Sequence, residues 1–180
     1  VNAAALAPDL ALSQLFGHEK GAFTGASERR IGFVEAAGEG TLFLDEVGEL
    51  SPAVQGKLLR LLEDRTFVRV GGTAPIACRA RFVFATNRDL ARDAAEGRFR
   101  EDLLFRIRVI ELRLPPLRER PDEIDDLLET FVARLSERLG RRPTPEIPAS
   151  VRAAARGYGW PGNVRELRNR VERAIALGEG

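Results

Sequence analysis

The sequence predicts an α/β domain built on a parallel sheet, followed by a small all-helical subdomain. Short apolar runs without clean alternation, at 41–44 and 81–86, have the composition of buried parallel strands. A helix with a legible start lies between them, so that strand, helix and strand follow one another. Beyond the proline-rich stretch LPPLRERPDE (114–123), strand signals stop and helical periodicity takes over.

Taken in order, TLFL (41–44) is the first strand. The helix after it has Ser51 as N-cap and Pro52 at its first position, with Val54, Leu58, Leu61 and Leu62 on one face. FVRVGGTAPIACRARF predicts a hairpin turning at Gly71 and Gly72, with the strand RFVFAT (81–86) close behind. VIELRL (109–114) reads as a third strand. The domain boundary is expected in the proline-rich stretch, giving segments 1–118 and 119–180. In the second segment a helix is predicted from about Asp122 to Leu139, stopping at Gly140, and a shorter one over Ala149–Arg156 after the linker RRPTPEIP. The last helix begins at Asn163, with Glu166 three residues on to complete a capping box and Val164, Leu167, Val171 and Ile175 as its buried stripe.

Composition bounds the function. The 180 residues are 44% hydrophobic and 31% charged, with a formal net charge of +1, so nucleic-acid binding would need a local basic patch. Cys78 stands alone and cannot close an internal disulfide, and no apolar run has the form of a signal peptide or membrane span. A reducing cytoplasm is the expected setting. The chain starts at Val1 and contains no methionine, which reads as an internal piece of a longer protein. His18 is the only histidine and has no partner at metal-binding spacing, so neither a zinc site nor a serine–histidine–acid triad is expected. The charge run LRERPDEIDD is expected to face water.

Several segments carry groups suited to phosphate chemistry. Asp45 and Glu46 follow the first strand, where side chains project into the crevice of an open parallel sheet. One carboxylate there can hold magnesium through its waters while the other polarises an attacking water; the same pair also reads as an ordinary solvated strand exit. Thr86 and Asn87 end the next strand, and Asn87 can orient water or simply form a turn. GRFREDLLFRI supplies Arg98, Arg100 and Arg106 around a short amphipathic helix. Arg100 and Arg106 would not share a face of one continuous helix, so Arg100 is expected to precede it. Arg165 sits in the first turn of the last helix, against the helix dipole, which favours a ligand role for it. The rival reading is a DNA-recognition helix presenting Arg165, Arg168 and Arg170, but Glu166 and Glu172 are interspersed and no preceding helix and tight turn complete the motif. GHEKGAFTGA (17–26) places Phe23 between glycines, where local packing does little to hide an aromatic ring.

In this order and spacing FGHEKGAFTGA, GTLFLDEVGEL, LLRLLED, RVGGTAPI, ATNRDL, GRFREDLLFRI, LPPLRER and WPGNVREL closely resemble the AAA+ domain of sigma-54-dependent transcription activators, from Asn2 almost to the C-terminus. The resemblance implies an AAA+ parallel-sheet core, truncated at its N-terminus, with a small all-helical lid. It implies that Gly21, Ala22, Phe23, Thr24, Gly25 and Ala26 form a mobile loop engaging the sigma-54 subunit of RNA polymerase, with Phe23 and Thr24 as its working residues. Flanking glycines make such a loop cheap to reshape, and an exposed aromatic offers contact area. By the same resemblance Asp45 and Glu46 match the Walker B pair acting on ATP and Mg2+, and Asn87 the first sensor with Thr86 beside it. Arg100 and Arg106 match fingers reaching a neighbouring subunit's nucleotide in a ring, commonly a hexamer. Arg165 matches the second sensor, Asn2 the asparagine that restrains the Walker B glutamate, and Val70–Thr73 a second loop supporting the first. DNA would be bound only through a helix-turn-helix domain that this sequence does not contain.

The sequence departs from the family in having no GxxxxGK[ST] phosphate loop, which in the family lies upstream of the position matching Val1. It is therefore expected to be either a segment of an ATP-hydrolysing motor or a sigma-54-binding module without catalysis of its own. Backbone amides and a lysine around the phosphates are a main source of nucleotide affinity. The 180-residue chain by itself is thus expected to bind ATP weakly and not to turn it over, and steady-state phosphate release above background would contradict this.

Overall fold

The computed structural model describes residues 1–178 and divides into two compact units, Val1–Glu111 and a second from Leu112 onward. The first unit contains α1 (Ala11–Phe16), α2 (Phe33–Ala36), β1 (Thr41–Leu44), α3 (Pro52–Asp64), β2 (Thr66–Phe67), β3 (Ile76–Ala77), β4 (Arg81–Phe84), α4 (Leu90–Ala95) and α5 (Glu101–Ile107). β1 and β4 are parallel, in register from Thr41 opposite Arg81 to Leu44 opposite Phe84. On the other side of β1 the start of the chain adds a bridge, with Asp45 N donating to Val1 O and Ala3 N to Asp45 O, both at 2.8 Å. β2 and β3 form the expected hairpin, and Gly71 and Gly72 lie in its connection.

The strands are buried on one face rather than on both. Leu42 and Leu44 are buried with α3 residues Val54, Leu58, Leu61 and Leu62, and Phe82 and Phe84 pack against the same core. Phe43 and Val83, on the opposite face, are exposed. α3 starts where predicted, with Ser51 at the N-cap position and Pro52 at the first turn, but the Ser51 side chain makes no capping hydrogen bond. The proline contributes by its preset φ and by lacking an N–H that would otherwise be unpaired.

The third predicted strand does not form. Residues 109–114 have no strand partner among the described residues, and Val109, Ile110, Leu112 and Leu114 are each at least 80% exposed. The apolar pattern favours an extended chain. A strand also needs a neighbour to take its N–H and C=O groups, and here the segment straddles the boundary between the two units.

The second unit is helical: α6 (Ile124–Arg138), α7 (Ala149–Gly157) and α8 (Asn163–Leu177). Leu117, Ile124, Leu128, Leu135, Trp160, Leu167, Val171 and Ile175 form its core. Trp160 brings a polar edge into that core and satisfies it by donating its indole N–H to Ala155 O at 2.7 Å. The capping box at α8 differs from the expected one. Asn163 adopts a left-handed φ of 55° and its Oδ1 accepts from Leu117 N at 2.9 Å, while Glu166 Oε2 reaches back to Gly162 N, also at 2.9 Å. Asn163 therefore ties the segment after the prolines to the helix start, and Glu166 caps one residue earlier.

Leu61 is fully buried between α3 and the sheet. Leu61→Ala should cost about 3 kcal/mol, read as a lower urea midpoint at unchanged slope.

Candidate functional site

Parallel pairing of β1 with β4 delivers their C-terminal ends side by side. Ala85 N donates to Leu44 O at 2.9 Å and Val47 N to Ala85 O at 3.0 Å, carrying the ladder past both strands. Asp45 and Glu46 leave β1 at that point, and Thr86 and Asn87 leave β4. Glu46 is in the left-handed region at φ 55°, ψ 45°, unusual for a residue with a long side chain. The turn brings Glu46 Oε2 to 3.3 Å from Asn87 N and Glu46 N to 3.0 Å from Asp45 Oδ1. Two carboxylates and an asparagine, partly open to solvent, thus meet at one strand-end edge.

Asn2 lies beside this edge through its backbone bridge to Asp45, while its Oδ1 accepts from Ala4 N at 2.9 Å and caps a short turn. Thr86 Oγ1 accepts from Arg88 N at 3.1 Å. Arg88 continues outward, donating to Gly48 O at 3.1 Å and lying 2.6 Å from Asp93 Oδ2 as an ion pair. Asp93 is 4% exposed and also takes Arg98, whose Nε donates to Oδ1 at 3.0 Å. The Arg88 and Arg98 guanidiniums hold the Asp93 carboxyl below the ordinary aspartate range. Its stabilising contribution is therefore present at neutral pH and is lost as pH falls through that lowered value.

Arg100 stands at the N-cap position of α5 and so precedes the helix, as its spacing from Arg106 requires. Its side chain is half exposed and forked onto Asp102, at 3.0 and 2.6 Å. Arg106, in the last turn, donates to Leu62 O at 2.9 Å, at the C-terminal end of α3. Arg98, by contrast, is engaged by Asp93 and Glu96.

The segment Gly21–Ala26 is a closed loop. Gly21 N donates to Ala26 O at 2.8 Å and Ala26 N to Phe23 O at 2.9 Å, with Gly21 and Gly25 at φ 82° and 97° in open space. Thr24 is exposed and Ala26 buried. Phe23 is 37% exposed because its ring turns back edge-on to His18, 5.0 Å between centroids. His18 is buried, with Nδ1 2.7 Å from Ser13 Oγ, and its backbone pairs with Arg30.

The hairpin between β2 and β3 supports the loop. Glu19 N donates to Val70 O at 3.0 Å, and Gly71 sits so close to Ala22 that a Cβ there would lie 2.7 Å from the alanine methyl. Beneath them Arg69, buried, forks onto Glu35 at 2.9 and 2.6 Å and onto Glu19 at 2.7 Å. Both carboxylates, Glu35 foremost, raise the already high pKa of Arg69. The residues missed by sequence reasoning here are Ser13, Glu19, Glu35, Gln55, Arg69 and Asp93. Their signal is tertiary, since the partners of Arg69 lie 34 and 50 residues away.

In the second unit Arg165 is exposed in the first turn of α8 and makes no hydrogen bond or ion pair among the described residues. Arg170 pairs with Glu166 and Tyr158 and stacks over the Tyr158 ring, 4.6 Å from its centroid. That commitment removes one of the three arginines a recognition helix would need. Among the described residues no group of three or more His, Cys, Asp or Glu side chains has metal-binding geometry, and no helix is long and apolar enough to cross a membrane.

Comparison with known proteins agrees with this layout. Residues 1–113 match the Sigma-54 interaction domain and residues 118–180 the AAA+ ATPase lid domain. The chain is 49% identical over its whole length to the transcriptional regulatory protein FlbD of Caulobacter vibrioides, covering 39% of it. It is 50% identical over 98% of its length to the alginate biosynthesis transcriptional regulatory protein AlgB of Pseudomonas aeruginosa, again covering 39%. The chain thus spans about two fifths of the length of these relatives. The crystal structure of NtrX from Brucella abortus superposes with a TM-score of 0.90 at 38% identity, over 100% of this chain and 40% of NtrX. NtrX in complex with ATP superposes at 0.88 and 38% identity, over 98% of this chain and 40% of that one. The fold is accordingly the AAA+ α/β core with a helical lid.

Arg69→Gln leaves Glu19 and Glu35 without their cation. Because both acids keep solvent contact, the loss should be about 2–3 kcal/mol, below the range for a fully buried pair. It should also loosen the loop base. A lysine-specific protease, for which the sequence offers only Lys20 and Lys57, should cut faster after Lys20.

Proposed function

The chain belongs to the Sigma-54 interaction domain family, with an AAA+ ATPase lid domain behind it, and on that premise we propose that it is the motor segment of a bacterial transcription activator. In this reading ATP hydrolysis in a cytoplasmic ring of such subunits, commonly six, remodels the closed complex of sigma-54 RNA polymerase at a promoter. Binding of DNA itself is left to other parts of the activator.

The observation that carries the proposal is the strand-end edge, where the Glu46 turn brings a carboxylate to 3.3 Å from Asn87 N beside Asp45. Glu46 accepts a proton from the water attacking the γ-phosphate. Asn87, with Thr86, senses that phosphate. The backbone bridge of Asn2 to Asp45 supports its role as a switch that restrains Glu46. Hard carboxylate oxygens suit magnesium, and one carboxylate with phosphate oxygens and waters is a common set of ligands for it, so the residues present fit. Asp45 would hold the ion through water. When bound, the ion would supply charge neutralisation at the phosphates. Arg100 and Arg106 stabilise charge on the nucleotide of the next subunit, and exposed Arg165 serves as the second sensor that binds nucleotide from the lid. The loop Gly21–Ala26 contacts sigma-54 through Phe23 and Thr24. The lodging of Phe23 against His18 is its resting seat, and movement of the Glu19–Arg69–Glu35 base is what frees it.

Two substitutions in the full-length protein test this. Glu46→Gln should lower ATP turnover by about 10^2–10^4-fold while leaving nucleotide binding intact. Equal rates would remove Glu46 from the mechanism. Phe23→Ala should keep turnover and lose capture of sigma-54 in a binding assay, and undiminished capture would remove the loop from the interface.

A further inference from the structure

Gln55 is a polar residue on the apolar face of α3, between Val54 and Leu58, and only 1% exposed. A leucine would fill that space, and burying an amide there is unfavourable unless its groups are paired. All of its hydrogen bonds go to backbone. Nε2 donates to Leu50 O at 2.7 Å and to Arg98 O at 3.3 Å, and Oε1 accepts from Arg100 N at 2.9 Å. Leu50 closes the short turn Val47–Glu49 that follows Glu46. One side chain therefore joins the turn after the candidate base to the main chain of Arg98 and Arg100.

From this geometry we infer that Gln55 is a positioning residue for Arg100. The inference rests on the reading of Arg100 as a finger acting on a neighbouring subunit. The same short segment is held from a second side, because Asp93 O accepts from Arg98 N at 2.8 Å and Phe99 N at 3.1 Å, and the Phe99 ring is 3% exposed. Arg100 thus leaves a fixed backbone with a half-exposed guanidinium, whose ion-pair partner among the described residues, Asp102, is two residues away and open to exchange for a phosphate. A finger must place its charge within a fraction of an ångström, and a misplacement of about 1 Å costs on the order of 10^2-fold in rate. Gln55 acts on the neighbour's site through Arg100 and does not itself touch nucleotide.

The test uses the full-length protein and mixed oligomers. Gln55→Leu alone should lower kcat by about 10^2-fold with KM for ATP nearly unchanged, since the subunit's own nucleotide contacts are intact. Mixing with Glu46→Gln subunits, which cannot hydrolyse but carry intact Gln55 and Arg100, should raise turnover per Gln55→Leu subunit about tenfold or more. Arg100→Ala mixed with Glu46→Gln is the reference. Rescue of Arg100→Ala but not of Gln55→Leu would reduce Gln55 to a structural role and overturn the inference, as would near-normal turnover of Gln55→Leu alone. An unrescued Arg100→Ala would instead sink the finger reading, and this inference with it. If Gln55→Leu does not assemble, Gln55→Glu keeps the acceptor for Arg100 N and loses both donations. It is then judged by the same mixing.

Discussion

A parallel ladder between two four-residue strands is the constraint on which the candidate site depends. Because β1 and β4 run the same way and in register, the acids after Leu44 and the polar pair after Ala85 emerge at the same edge. An antiparallel arrangement would send the two strand ends to opposite edges. The ladder alone leaves Glu46 pointing onward. The left-handed turn at Glu46 folds its carboxylate back to the Asn87 amide. Backbone strain of this kind persists only where surrounding contacts hold it, and here buried Val47 and its bond to Ala85 supply them.

The loop Gly21–Ala26 follows a different logic. Its tip has little packing, with two glycines in open space, whereas its base is tied to other segments by backbone bridges and ion pairs. His18, Arg30 and Val70 are cross-bridged through backbone, and Arg69 binds two acids from two other segments. A soft tip on a stiff base can transmit a change in the base to the tip as a displacement instead of absorbing it. The bare phenylalanine is seated by an aromatic edge contact to a buried histidine, an interaction small enough to be exchanged for a partner.

The arginines divide by partner, which their abundance in the sequence conceals. Arg69, Arg88, Arg98 and Arg170 are committed to acids or aromatic rings inside the fold. Of the three arginines proposed to act on nucleotide, Arg100 and Arg165 stay available, the first paired to a nearby residue on the surface and the second exposed without a partner among the described residues, while Arg106 gives one N–H to Leu62 O. A guanidinium already forked onto a buried carboxylate has few donors left for a phosphate, so its partners indicate its use better than its position in the sequence does.

Local and periodic features were legible in the sequence. The strand at 41–44, the strand expected at 81–86 and formed over Arg81–Phe84, α3 with its proline start, the glycine hairpin and the stripe on α8 follow from apolar spacing and turn chemistry, which act over a few residues. The motif order disclosed the family, and strand-end position identified Asp45, Glu46, Thr86 and Asn87 as neighbours. The strand at 109–114 misled because apolar alternation describes a chain that would pair, whereas pairing needs an available partner. Asn163 misled because its amide is taken by Leu117, 46 residues away. The turn at Glu46, the Arg69 clamp, the Asp93 hub and the hydrogen bonds of Gln55 were decided by tertiary structure alone. Each depends on side chains or backbone brought together across the fold, and a one-dimensional pattern carries no record of which distant group will meet a buried charge or amide.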